Sequence, residues 1–164
     1  MESVQSAFEK VAFLLHQLGL NTVMEDKARP WGGFYVIEET QAESFIKHFF
    51  PGEIIENIKI SGKLSPKILL VAPGKRLSWQ YHFRRAEIWK CVEGPVSVVT
   101  SESDEEKEAI ILQSGDTIKL KKGERHRLIG LDDWGIIAEI WQHTDALHPS
   151  DEEDIVRLKD DFGR

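Results

Sequence analysis

The chain has 164 residues, with 28 acidic and 21 basic side chains and a formal net charge of -7. That length suits one domain with a sizeable core, and the acidic balance argues against nucleic acid and anionic membranes as partners. A single cysteine excludes a disulfide framework and fits a reducing cytoplasm, and there is neither an early secretory apolar run nor a stretch of the ~18 apolar residues that a membrane span needs.

In chain order, residues 3–19 read as an amphipathic helix. Val4, Phe8, Val11, Leu15 and Leu18 recur at three- and four-residue spacing, with Ser3 as the cap and Gly19 near the end. This helix is expected to pack on the outside of the main fold, or to make a dimer contact. Residues 24–33 are polar and turn-rich. Residues 34–38 read as a strand, 42–50 as an edge strand or a short helix, and 54–64 as a strand or a loop insertion. Residues 67–72 (KILLVA) are a strand leading into Pro73-Gly74.

From there short strands follow with turns between them: 77–81, 87–93, 96–100, 109–113, 117–120, 126–129 and 135–142. This spacing predicts an antiparallel barrel or sandwich. The charged run 101–108 (SESDEEKE) reads as a solvated hairpin tip, and the tail opens at Ser150 with a helix-cap-like SDEE. Cys91 reads as an inert core thiol. Trp79, Trp89, Trp134 and Trp141 read as core or pocket lining, and His48, His143 and His148 as surface residues. The domain boundaries expected are a helical extension over 1–25 and a barrel with its tail over 26–164.

The chemistry concentrates in 73–94, PGKRLSWQYHFRRAEIWKCVEG. Gln80 and His82 are two apart, so on a strand both face the same way. Glu87 follows after a bend and could complete one side of a site. His126 comes later in GDTIKLKKGERH. Imidazole, amide oxygen and carboxylate form a mixed nitrogen–oxygen set that suits zinc, iron, manganese, cobalt or nickel without choosing sharply among them.

These two segments resemble the two-part signature of the cupin superfamily. The first cupin motif runs G, five residues, H-x-H, four residues, E, six residues, G; here it reads Gly74, Gln80-Tyr81-His82, Glu87 and Gly94, with Gln80 in place of the first His. The second runs G, five residues, P-x-G, two residues, H; here it reads Gly115, Lys121-Lys122-Gly123 and His126, with Lys121 in place of proline. The resemblance implies an all-β fold, a cupin-type double-stranded β-helix (jelly-roll) barrel with an N-terminal helix. It also implies one divalent metal held by Gln80, His82, Glu87 and His126, with zinc the first choice. Cupin barrels pair through edge strands, so a homodimer is expected.

A narrower likeness follows. LSWQYHFRRAEIW is similar to the L-S-x-Q-x-H-x-H-R-x-E-H-W stretch of type II phosphomannose isomerases, which also carry Gln at the first ligand position. Arg29-Pro30-Trp31-Gly32 resembles that family's opening, and Asp154-Ile155-Val156-Arg157 with Asp161-Phe162-Gly163-Arg164 its closing motif. The resemblance covers about residues 29–164. It implies a metal-dependent isomerase of a phosphosugar, most like mannose 6-phosphate to fructose 6-phosphate, or another sugar such as a heptose phosphate. Arg85, Arg157 and Arg164 become the expected phosphate contacts, with Arg84 and Arg127 as additions, and Glu139 the expected base. Arg84 and Ile88 stand where the family has His, which bears on the substrate rather than the metal. The alternative is a non-catalytic module that binds a sugar phosphate or sugar nucleotide.

Overall fold

The computed structural model describes residues 2–164. It begins with helix α1 (Val4–Gln17), capped by the Ser3 hydroxyl, which accepts from the Ser6 amide. Strands β1 (Thr22–Arg29) and β2 (Gly32–Ile37) form a hairpin. Helices α2 (Ala42–Phe49) and α3 (Ile55–Ile58) lead to β3 (Lys67–Val71). Then come β4 (Trp79–Tyr81), β5 (Arg85–Glu93), β6 (Val96–Ser101), β7 (Ile110–Leu112), β8 (Thr117–Leu120) and β9 (Arg125–Gly130). Strands β10 (Gly135–His143) and β11 (Val156–Lys159) complete the chain.

The strands make two antiparallel sheets, a six-stranded one ordered β1-β2-β3-β10-β5-β8 and a five-stranded one ordered β11-β4-β9-β6-β7. They face each other as the two halves of a jelly-roll barrel, the expected cupin-type architecture. Alternate residues of a strand point to opposite faces, and the central strands use both. Ile68 and Leu70 of β3, Ile88 of β5, and Ile136, Ala138 and Ile140 of β10 belong to one core. Leu69 and Val71 of β3, Trp89 and Cys91 of β5, and Ile137 of β10 belong to another, between the sheets. The outer core exists because α1 and α2 cover the six-stranded sheet with Phe8, Val11, Leu15, Phe45 and Phe49. Each such side chain contributes roughly 1.5–3 kcal/mol when fully buried. Gly33 permits the approach of α1, since a Cβ there would lie 2.7 Å from Phe8 Cζ.

Several sequence expectations change. The polar stretch 24–33 contains β1, an edge strand whose side chains are mostly exposed, so it lacks the alternation that marks a buried strand. Residues 42–50 resolve as the helix α2, because Ala42, Phe45, Ile46 and Phe49 face the core together. Residues 54–64 hold the short helix α3 and a loop, not a strand. The tail makes a turn and then β11, not a helix. The 101–108 loop folds back on the barrel: Trp79 Nε1 donates to the Asp104 carbonyl at 2.8 Å, and Glu106 accepts from Arg127 at 3.0 Å. Among the described residues no helix is long and apolar enough to cross a membrane.

Candidate metal centre

Gln80 and His126 are direct partners across the β4–β9 pair, so both side chains rise from the same face. His82 lies two residues beyond Gln80, on that same side. The chain then bends at Phe83-Arg84, and β5 brings Glu87 in from the facing sheet. The turn before His126 is tied to His82, for the Gly123 amide donates to the His82 carbonyl at 3.0 Å. Gly123 has φ +79°, a conformation that glycine adopts without strain. Lys121, where the cupin pattern has proline, uses its amide to donate to Glu124 Oε1 at 2.8 Å, a bond proline could not make.

His82, Glu87 and His126 are buried, and one candidate donor atom from each lies within 4.8 Å of the others. His82 Nε2 is 3.2 Å from Glu87 Oε2, and His126 Nε2 is 3.7 Å from Glu87 Oε1. Each Nδ1 donates to a backbone carbonyl, His82 to Asp154 at 2.7 Å and His126 to Glu124 at 3.1 Å. A carbonyl only accepts, so in the neutral ring the proton sits on Nδ1 and the lone pair of Nε2 faces the cluster. His126 Nε2 is buried with no hydrogen-bond partner among the described residues. An orphaned, inward-facing imidazole nitrogen beside a carboxylate fits a metal ion. Gln80, 8% exposed, lines a pocket together with Glu87 and accepts from the Ser78 hydroxyl at 3.1 Å.

The electrostatics suit ligands. Burial lowers the His82 pKa to about 4 against the pull of Glu87, and burial lowers that of His126 as well, so both rings are neutral and able to coordinate. Burial works to raise Glu87, but the Arg85 guanidinium and the two imidazoles outweigh it and hold the carboxyl below its ordinary range. Glu87 keeps its charge with two donors, Arg85 Nε at 2.7 Å and Trp89 Nε1 at 3.0 Å.

Glu139 is 5% exposed and faces the pocket, with its Oε1 accepting from Trp141 Nε1 at 2.7 Å. Burial, reinforced by the Glu87 charge, pushes its pKa up to about 8. Directly opposite it on β3 stands Lys67, also buried, with Nζ 4.4 Å from the Trp141 ring centre and 4.8 Å from that of Phe34. In the sequence Lys67 only opens an apolar strand and carries no ligand motif. The signal available was its period-2 phase with Leu69 and Val71, which face the barrel interior.

The arginines separate into two groups. Arg29, Arg157 and Arg164 line the pocket; Arg29 Nε pairs with Asp26 and Arg164 Nε with Asp160, each at 2.9 Å, while among the described residues the Arg157 side chain has no hydrogen-bond or ion-pair partner. Burial, then the nearby Arg164 charge, lower its pKa. Arg85 also lines the pocket, yet its donors are engaged: Nε with Glu87, and NH1 with Ser150 Oγ at 2.9 Å and the Asp151 carbonyl at 3.0 Å. Its NH2 lies 3.2 Å from His82 Nε2, and its guanidinium stacks 3.6 Å from the Trp141 ring centre.

Arg127 is wholly buried and binds the Leu77 and Lys159 carbonyls and Glu106, away from the pocket. Arg84 lies 3.5 Å from Asp151, outside the pocket lining. Ile88 points into the outer core under the helices. The two departures from the isomerase pattern therefore do not face the pocket. His143, expected at the surface, is fully buried; its Nδ1 accepts from the Ser150 amide and its Nε2 meets Ser65 Oγ at 2.8 Å. Cys91 is buried as expected, and burial pushes its thiol up to about 11.

The fold and this buried histidine–carboxylate cluster define a cupin-type domain. The chain belongs to the family described as "Mannose-6-phosphate isomerase C-terminal", which it matches over residues 38–160. It is 29% identical over 118 residues to the xanthan biosynthesis protein XanB of Xanthomonas campestris pv. campestris, an alignment covering 72% of this chain and 24% of that protein. It is 34% identical over 93 residues to a mannose-1-phosphate guanylyltransferase of Sinorhizobium fredii, covering 57% of this chain and 17% of that one. The chain thus spans a quarter or less of these relatives. In structure it resembles an oxalate oxidase (TM-score 0.52, 19% identity, 81% of this chain and 58% of that one). It also resembles the capsular polysaccharide assembling protein CapF of Staphylococcus aureus (TM-score 0.54, 15% identity, 85% and 34%). At those identities the likeness concerns the fold alone.

Proposed function

We propose that this protein is a metal-dependent isomerase that interconverts an aldose phosphate and its ketose, with mannose 6-phosphate and fructose 6-phosphate the leading pair. The observation that carries the reading is Glu139. A buried carboxyl with a pKa near working pH lines one pocket with Gln80 and Glu87, and Glu87 in turn belongs to the buried cluster with His82 and His126. A solvent-shielded acid of this kind suits proton transfer at carbon, and a module that only binds sugar has no need of it. Membership of the isomerase C-terminal family supports the substrate class.

A divalent ion held by the four side chains would supply Lewis acidity toward the adjacent carbonyl and hydroxyl oxygens of the sugar. Zinc is the first choice by the family resemblance, since the mixed nitrogen–oxygen donor set itself does not choose sharply among divalent metals. In its ionised form Glu139 takes the proton from C2 of the aldose and returns it to C1 of the enediolate, while the hydroxyl proton of O2 passes to O1, giving the ketose. Lys67, opposite Glu139, keeps a positive charge near that carboxylate when it forms. Arg157, whose side chain has no partner among the described residues, is the first phosphate contact; Arg164 lines the same pocket and joins it by giving up part of its pair with Asp160. Arg85 is assigned instead to holding Glu87 and the tail, because its donors are already engaged. Trp89 and Trp141 wall the pocket and limit water.

The second reading is a non-catalytic module binding a sugar phosphate or sugar nucleotide. What supports it is that the relatives are far longer and one is named as a guanylyltransferase. Interconversion of a phosphosugar by the metal-loaded chain, abolished by Glu139→Gln with metal and sugar binding retained, establishes the first reading. Tight phosphosugar binding by metal-loaded protein without turnover establishes the second.

A further inference from the structure

Three of the four candidate donors are braced by one segment that supplies no donor itself. The Asp154 carbonyl accepts from His82 Nδ1 at 2.7 Å. Its carboxylate, 4% exposed as a residue, accepts from the Phe83 and Arg84 amides at 2.9 Å each and from Ser150 Oγ at 2.6 Å. One residue therefore fixes both the ring of His82 and the bend that follows it. Ser150 and Asp151 meanwhile hold Arg85, whose Nε binds Glu87. Arg157 of β11 pairs with Gln80 of β4. Only His126 is held independently, by its own turn through the Glu124 carbonyl.

This segment docks by hydrogen bonds more than by core packing. Between 150 and 159 only Ser150 and Asp154 are buried, and Asp151, Glu152 and Glu153 are exposed. Segments with few buried apolar contacts open at low free-energy cost. Opening would release the Nδ1 bond of His82 and the Arg85 hold on Glu87's surroundings together.

We propose that Asp154 is a positioning residue of the metal centre, and that residues 150–159 form a strap whose docking and metal binding reinforce each other. This rests on reading Gln80, His82, Glu87 and His126 as metal donors. Coupling of this kind is reciprocal: whatever docking adds to metal affinity, the metal adds to docking. Outer residues that orient a ligating imidazole typically contribute about 10- to 100-fold to metal affinity.

The test uses Zn2+ as the probe on the full chain. In wild-type protein, trypsin cleavage at the exposed Arg157 and Lys159 is followed with and without saturating Zn2+. Protection of about 5- to 150-fold is expected, the usual span of such coupling. Zn2+ affinity is then measured by chelator competition. Asp154→Ala is expected to bind about 10- to 100-fold more weakly, and Asp154→Asn, which keeps an oxygen for one amide, less so. Lys159→Ala, at the outer end of the strap, is expected to match wild type. Imidazole nitrogen shifts in the metal-free protein should show His82 as a single Nδ1–H tautomer that becomes mixed in Asp154→Ala.

Equal cleavage with and without bound Zn2+, or wild-type affinity and an unmixed His82 tautomer in Asp154→Ala, overturns the strap. If Asp154→Ala does not fold, the wild-type proteolysis decides alone. Absence of Zn2+ binding by wild type overturns the donor assignment itself and the strap with it, an outcome visible before any variant is made.

Discussion

His126 Nε2 stands 3.7 Å from Glu87 Oε1, walled from solvent, with no hydrogen bond to it or to any other described residue. Burying an imidazole nitrogen with nothing to accept costs free energy, and a cation between the two groups removes that cost. The purified chain is expected to carry one divalent ion, and His126→Ala and His82→Ala to lose most of it. Elemental analysis checks this, and full occupancy in both variants refutes the donor set. Excess Zn2+ should also raise the Tm of wild type, by about 2.7 kcal/mol of stability at a hundredfold excess over Kd, and leave His126→Ala nearly unmoved.

Glu139 makes a second prediction through pH. Its carboxyl has a higher pKa in the fold, about 8, than its ordinary 4.5, so between those values the folded state binds more protons than the unfolded chain. Its contribution to the stability of metal-free protein is therefore fullest below pH 4.5 and is lost as pH rises through about 8. Glu139→Gln removes that loss and should stabilise the metal-free protein at pH 8 by more than about 1.4 kcal/mol, the worth of one pKa step. The same change should lower isomerase turnover by about 10²- to 10⁴-fold. Denaturant melts at pH 5 and pH 8 check the first part; a variant no more stable than wild type at pH 8 contradicts it.

The two groups of arginines should behave differently. Arg85→Ala strips Glu87 of a buried guanidinium partner, and breaking a buried pair in this way costs about 3–5 kcal/mol, with metal affinity falling too. Arg157→Ala should leave stability within about 0.5 kcal/mol and metal content unchanged, while weakening phosphosugar binding. Calorimetry with a hexose phosphate separates the two. Equal loss of sugar affinity, with Arg85→Ala as stable as wild type, would return Arg85 to the phosphate.

Helix α1 lies before the matched family region, yet Phe8 is 1% exposed and meets the Tyr35 and Trp134 rings at 5.6 and 6.1 Å. Phe8→Ala should cost about 3–5 kcal/mol. A loss under about 1 kcal/mol in a denaturant melt would mean the helix is not part of the cooperative fold.

The buried cluster of His82, Glu87 and His126 was legible in the sequence because its signal is local. Gln80, His82 and Glu87 lie within one strand-bend-strand, and the turn carrying His126 repeats a fixed glycine spacing. What the sequence concealed depends on pairing across strands. Lys67 looks like a strand-opening lysine until β3 is set against β10, where it meets Glu139. Asp154 and His143 look like polar loop residues until the tail folds over the pocket. Ile88 could not be assigned to an outer core while α1 and α2 had no known place on the sheet. Strand β1 escaped notice because an exposed edge strand carries no hydrophobic alternation.

The central claim is proton transfer between C1 and C2 of a phosphosugar in this pocket. Its most direct measurement is NMR of hexose and heptose phosphates incubated in deuterated water with Zn2+-loaded protein. The account predicts deuterium entry and aldose–ketose interconversion for one of these sugars, abolished by a chelator and by Glu139→Gln. No exchange in any of them, with metal and sugar both shown to be bound, would contradict it and leave a binding module.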